Sequence, residues 1–133
     1  LERLGLYAPE TLVEGRKLYM RSLPVEVFIP AVGQGIVGME CRSSDRETEE
    51  MLKGINDTEA FACALAERAF LVRLGANCST PVGVYAHLDG EELVLRAAYY
   101  APGREEPFAV VIRGDRKAPE ALGLRAFEEL GLR

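Results

Sequence analysis

The chain has little histidine, no even set of cysteines, no excess of positive charge and no long apolar run. Each shortage removes a class of function. One His and three Cys (Cys41, Cys63 and Cys78), without metal-ligand spacing, argue against a zinc site. An odd cysteine count points to a reducing compartment, and the expected location is cytoplasmic. Lys plus Arg number 16 against 21 Asp plus Glu, so the net charge is −5. That balance is unsuited to broad phosphate-backbone binding, and no nucleic-acid partner is expected. No apolar stretch approaches the length of a membrane span and no signal-peptide pattern is visible, so no membrane partner is expected. What remains, 48% apolar and 28% charged over 133 residues, suits a globular domain of ordinary size or two small pieces. The first residue is Leu1, and LERLGL reads as the end of a helix already under way. The chain is expected to be a piece of something longer.

Along the chain, residues 1–6 look like a helix end, with Gly5 near its C-terminus. Residues 9–22 predict a helix opened by Pro9, with Leu12, Val13, Leu18 and Tyr19 as a weak apolar stripe interrupted by Gly15. LPVEVFIP (23–30) alternates like a short strand bounded by prolines. AVGQGIVGMECR follows, with a tight Gly33-Gln34-Gly35 segment and a predicted strand over 36–41. A glycine pair around Gln34 without a following Lys, Ser or Thr reads as a hinge or crossover rather than a phosphate loop. Cys41, beside Met39, reads as inert core.

Ser44-Asp45-Arg46-Glu47 has capping-box spacing, with Ser44 as N-cap of a helix that stops at Gly54. A longer helix is expected over 58–74, with Phe61, Leu65, Ala69 and Val72 as its buried stripe, widened by Ala62, Ala66 and Phe70. Cys63 falls in this helix and reads as core packing. Gly75 is a candidate C-cap. Three strands are then expected, over 82–88, 91–101 and 108–113, the first two joined at Asp89-Gly90. Pro119 opens a last amphipathic helix through Leu122, Phe127 and Leu130. The order from residue 58 is helix, three antiparallel strands, helix. A double-stranded RNA-binding domain shares that order, but its phosphate-facing helix is basic, whereas this last helix carries Glu120, Glu128 and Glu129.

Between the long helix and the strands lies LGANCSTPVG (74–83), whose Gly, Asn, Ser, Thr and Pro mark an irregular loop. Such a loop has no deep apolar face in which to hide a thiol. Cys78 at its centre has three readings: a nucleophile paired with His, an anchor for a covalent group, or an incidental thiol. His87, the single histidine, lies in the following strand, and nothing in the sequence aims it at Cys78. The residues alone leave the incidental thiol as the default.

ERAFLVRLGANCSTPVG (67–83) strongly resembles the cofactor-attachment signature of the porphobilinogen deaminase (hydroxymethylbilane synthase) family. In that family a Glu-Arg helix leads into a glycine-rich turn, the attachment Cys, and a Pro before a small-residue strand. IPAVGQGIVGMECR (29–42) resembles the family's segment where the chain leaves its second domain and returns to the first. The αβββα piece is like the family's third domain, and the resemblance covers nearly the whole chain.

The resemblance implies an α/β protein with an α+β C-terminal domain. A three-stranded antiparallel sheet packed by helices would be preceded by hinge and strand/helix segments of periplasmic-binding-protein-like domains. The implied boundaries are 1–29 for the end of domain two, 30–57 for hinge and return, and 58–133 for domain three. Cys78 would hold a dipyrromethane cofactor through a thioether, a bond suited to a soft nucleophile and an electrophilic methylene. The implied reaction condenses four porphobilinogen units into hydroxymethylbilane with loss of ammonia. A flexible Cys78 loop would let the growing polypyrrole be repositioned.

The acetate and propionate arms of cofactor and substrate call for guanidinium forks. Arg3 and Arg42 match arginines of the family's cleft, and Gln34 and Gly35 sit where its hinge passes close to the cofactor. Arg68 reads as a structural ion-pair residue. Ala76 and Asn77 stand where the family usually has glycines. The family's catalytic Asp lies in its N-terminal half and has no counterpart here, so no catalytic residue is expected in this chain. Inactivity alone and an N-terminal half as partner are expected, with strands over 25–41 orphaned from their sheets. The alternative is a non-catalytic αβββα interaction module.

Overall fold

The computed structural model describes residues 8–132. The elements are β1 (Glu10–Val13), β2 (Arg16–Tyr19), α1 (Arg46–Ile55), α2 (Thr58–Leu74), β3 (Val82–Asp89), β4 (Glu92–Tyr99), β5 (Phe108–Asp115) and α3 (Pro119–Glu129). The expected helix end over residues 1–6 lies outside the described residues.

The helix expected over 9–22 is instead a hairpin of β1 and β2, paired from Glu10 with Tyr19 to Val13 with Arg16. Glu14 and Gly15 both sit at positive φ, 50° and 76°, the geometry of a two-residue turn whose twist matches its strands. Gly15, a blemish in a helix, is a requirement of this turn. Lys17 pairs with Glu10 across the hairpin at 2.5 Å, and Leu12, Leu18 and Tyr19 are exposed.

Neither strand expected over 23–30 and 36–41 forms. The Pro24 carbonyl accepts the N–H groups of Val27 and Phe28 at 3.1 and 2.9 Å, so the chain curls there. Residues 36–41 carry no ladder, because a strand needs an edge to pair with. Cys41 and Met39, read as core, are both exposed.

α1 starts one residue later than the capping box implied. Asp45, not Ser44, is the N-cap, with Oδ1 accepting the Thr48 N–H at 3.0 Å and Oδ2 the Thr48 hydroxyl at 2.8 Å. α1 runs through Gly54 to Ile55 and buries no residue. α2 is capped at both ends, at its C-terminus by Gly75 as expected and at its N-terminus by Asp57. Asp57 Oδ1 takes the N–H groups of Glu59 and Ala60, and Gly75 closes the C-terminus at φ 67°.

The expected face of α2 is realised only in part: Ala66 and Phe70 lie inside as expected, but the ends of the stripe do not. Ala66, Glu67 and Phe70 are buried and Cys63 and Leu74 pack against the core, whereas Phe61 and Val72 are exposed. Apolar residues surround most of this helix, so periodicity cannot select a side. Its partners do. α3 crosses so closely at Gly123 that a Cβ there would lie 2.2 Å from the Ala66 carbonyl oxygen.

The sheet is an antiparallel meander in the order β3-β4-β5, with Val82 opposite Tyr99 and Tyr99 opposite Phe108. Val84, Leu93, Leu95 and Ile112 pack with Phe70, Leu122 and Ala126 of the helices. This is the α+β, αβββα arrangement that the sequence order implies, and among the described residues its core is drawn from residues 63–132 and Val32. Among the described residues, no helix is long and apolar enough to cross a membrane.

Candidate functional site

The end of α2 and the start of β3 build a short, tied turn. Gly75 donates to the Val72 carbonyl at 3.1 Å and Ala76 to the Leu71 carbonyl at 3.3 Å, the pairing of a Schellman closure. Asn77 then organises the next three residues. Its Oδ1 accepts from the Ser79 N–H at 2.9 Å and the Ser79 hydroxyl at 2.6 Å, and its own N–H donates to Thr80 Oγ1 at 2.9 Å. Thr80 N–H returns to the Asn77 carbonyl at 3.0 Å. The far end is fixed by Tyr100, which donates to the Pro81 carbonyl at 3.0 Å.

Cys78 is exposed at the crown of this turn. Of residues 75–77 only Gly75 needs left-handed backbone, so Ala76 is accommodated without strain. Asn77 replaces glycine's freedom with a side-chain acceptor that shapes the turn. The loop expected to be flexible is thus hydrogen-bonded at both ends.

His87 stacks on Tyr85, ring centroids 5.5 Å apart, and its Nδ1 has no hydrogen-bond partner. It sits on the sheet face opposite the buried Val84 and Ala86. Arg68 is exposed, and the ion pairs among the described residues do not include it.

The remaining candidates lie on the crossing segment. Arg3 falls outside the described residues. Gln34 and Gly35 belong to a turn over 32–35, where Gln34 N–H donates to the Ala31 carbonyl at 3.0 Å and its Oε1 accepts the Ala31 N–H at 3.2 Å. Arg42 is exposed, and its carbonyl accepts the Asp45 N–H at 2.9 Å. Among the described residues no hydrogen bond or ion pair joins Cys78 to Gln34, Gly35 or Arg42.

The crossing segment is nevertheless seated on the domain that carries Cys78. Val84 donates to the Pro30 carbonyl at 3.0 Å. Ile29 approaches so closely that a Cβ on Gly83 would lie 2.7 Å from its carbonyl oxygen. Glu67 completes the junction: Oε2 accepts the Gly33 N–H at 2.7 Å and Oε1 the Ala86 N–H at 2.8 Å. Glu67 is 4% exposed, and burial pushes its carboxyl above the usual range, opposed by those two hydrogen bonds. In the sequence Glu67 stands out only as the first residue of the motif over 67–83. The missed signal was an acidic residue on the same helix face as Cys63 and Phe70.

The Cys78 turn leaves room for a thiol-linked group, and its own residues carry no negative charge to oppose an anionic one. An exposed Sγ leaves room on its solvent side, no Asp or Glu lies between Arg73 and Leu88, and Arg42 makes no ion pair among the described residues. Two family models match the chain. One is described as porphobilinogen deaminase, C-terminal domain, and matches residues 61–131; the other, as porphobilinogen deaminase, dipyromethane cofactor binding domain, matches residues 1–50.

Proposed function

The chain belongs to the porphobilinogen deaminase family, and we propose on that premise that Cys78 is the residue through which it carries its dipyrromethane cofactor. The family's enzymes are transferases of tetrapyrrole biosynthesis that condense four porphobilinogen units into hydroxymethylbilane with release of ammonia. The observation that carries the proposal is the exposed thiol on a turn tied at both ends, inside the match to the C-terminal domain. Arg3, Gln34, Gly35 and Arg42 all fall inside the match named for cofactor binding, which supports their assignment as non-covalent contacts.

The bound dipyrromethane supplies the pyrrole carbon to which porphobilinogen units add. Cys78 Sγ would hold the group by a C–S bond to its methylene, formed as the C–N bond of the aminomethyl arm breaks, with the thiol proton leaving on the ammonia. Arg3 and Arg42 would pair with carboxylates of the acetate and propionate arms. Gln34 and Gly35 offer amide groups at the crossing. Because the Cys78 turn is tied, repositioning of a growing chain falls to movement of the domain rather than of the loop.

The segments 1–29, 30–57 and 58–133 serve as the end of domain two, the hinge with the return to domain one, and domain three. The closed core of residues 63–132 supports the last boundary. Acid–base chemistry is assigned to the family's N-terminal half. The 133-residue chain alone is therefore expected not to turn over porphobilinogen, and to need that half as partner. Three free thiols support a cytoplasmic location.

Mass spectrometry of the chain produced together with the N-terminal half, in cells that make porphobilinogen, tests the tether. A two-pyrrole adduct on Cys78, absent from Cys78→Ser, is expected. Unmodified Cys78, together with full activity of Cys78→Ser in the presence of the N-terminal half, overturns it.

A further inference from the structure

The junction between the crossing segment and the tether-bearing domain depends on one buried carboxylate. β3 is an edge strand, and its outward N–H groups at Val84 and Ala86 need acceptors. The Pro30 carbonyl meets the first and Glu67 Oε1 the second. The second oxygen of Glu67 is spent on Gly33, 34 residues away in sequence, at the left-handed start of the turn that contains Gln34 and Gly35. Gly33 also accepts the Ile36 N–H at 3.0 Å, so the whole turn is referred to this point.

A neutral carbonyl would satisfy Ala86 alone, as Pro30 satisfies Val84. A carboxylate takes both donors at once and makes them mutually dependent. Glu67 forms no ion pair among the described residues, so these two N–H groups are what compensate its burial. We propose that Glu67 is a positioning residue, a latch that joins the 32–35 turn to the β3 edge and thereby sets Gln34 and Gly35 relative to the Cys78 domain. The link to Gln34 and Gly35 as cofactor contacts rests on the tether reading; the latch itself does not.

Amide hydrogen exchange on the 133-residue chain tests it, with variants Glu67→Gln and Glu67→Asp. The carboxamide of Glu67→Gln keeps the size but has one acceptor, so one amide loses its partner. Glu67→Asp keeps the charge but is a methylene too short to reach both. Exchange at Gly33 or Ala86 should quicken roughly tenfold or more in either variant, while Phe70 and Leu95 exchange at the wild-type rate. If Glu67→Gln does not fold, Glu67→Asp carries the same readout. Unchanged exchange at both amides, or a rise only in step with Phe70 and Leu95, overturns the latch. Quickened exchange at Gly33 with no adduct on wild-type Cys78 keeps the latch and removes the tether reading. An adduct with unchanged exchange does the reverse.

Discussion

Residues 23–41 and residues 82–100 are both rich in Val, Ile, Leu and Phe or Tyr, yet they end in opposite environments. In the first stretch Val27 and Val37 are 84% and 83% exposed; in the second Val84 and Leu95 are fully buried. Residues 82–100 contain their own turn, so β3 finds β4 two residues after it ends, and α2 and α3 cover the resulting face. Residues 23–41 have no partner strand among the described residues and stay open except where Ile29 and Pro30 meet β3 and Gly33 meets Glu67 of α2. Apolar composition therefore sets the potential for burial, and the nearness of a pairing edge decides whether it is realised.

The strongest way to break this comparison is functional. Cys78→Ser should abolish covalent attachment altogether, whereas Cys41→Ser, on the open stretch, should leave the mass adduct intact. Loss of the adduct in both would show that the two regions form one site with a shared thiol requirement.

The next effect is on stability. Phe70→Ala, inside the core, should cost about 3–5 kcal/mol, while Val37→Ala should change urea stability by about 0.5 kcal/mol or less. A large loss at Val37 would mean that the open stretch is covered in solution, and the contrast would collapse.

A smaller effect is expected at the cap that starts the cored region. Asp57→Ala removes the acceptor for two N–H groups and should lower stability by about 1 kcal/mol, read from the urea midpoint.

The junction gives the smallest and most directional effect. Burial holds the Glu67 carboxyl above its ordinary 4.5, so the folded chain keeps a proton that the unfolded chain would release. Its contribution is fully present below pH 4.5 and is lost as pH rises through the folded value. Glu67→Gln cannot titrate. The stability of wild type relative to the variant should therefore improve as pH falls from 7 toward 4.5. Asp45 and Glu49, held below their ordinary values chiefly by Thr48 and Arg46, act in the opposite direction but are present in both proteins and cancel. A difference that moves the other way would mean that the Gly33 and Ala86 hydrogen bonds outweigh burial.

Much of residues 58–132 was legible because its signals are local. Pro119 and Gly75 act within a turn of the chain, Gly90 takes the left-handed first place of the Gly90-Glu91 hairpin loop one residue later than the expected Asp89-Gly90 pair, and the strand alternation needs only neighbouring residues. The hairpin over 10–19 is not legible in the sequence although its turn is also local. Glu14 is a poor turn residue by type, and the Pro9 start suggested a helix. Cys78 was legible as an exposed loop thiol, but not the Asn77 side chain that shapes its turn.

The sequence by itself determined the order helix, three strands, helix, and the exposed place of Cys78 between them. It did so because caps, turns and strand periods operate over a few residues. Only the tertiary structure decided which side of α2 is inside, which apolar stretches are strands, and that Glu67 joins Gly33 to Ala86. Those outcomes depend on partners brought together from distant parts of the chain, and no local pattern encodes where a carboxylate 34 residues away will find its donor.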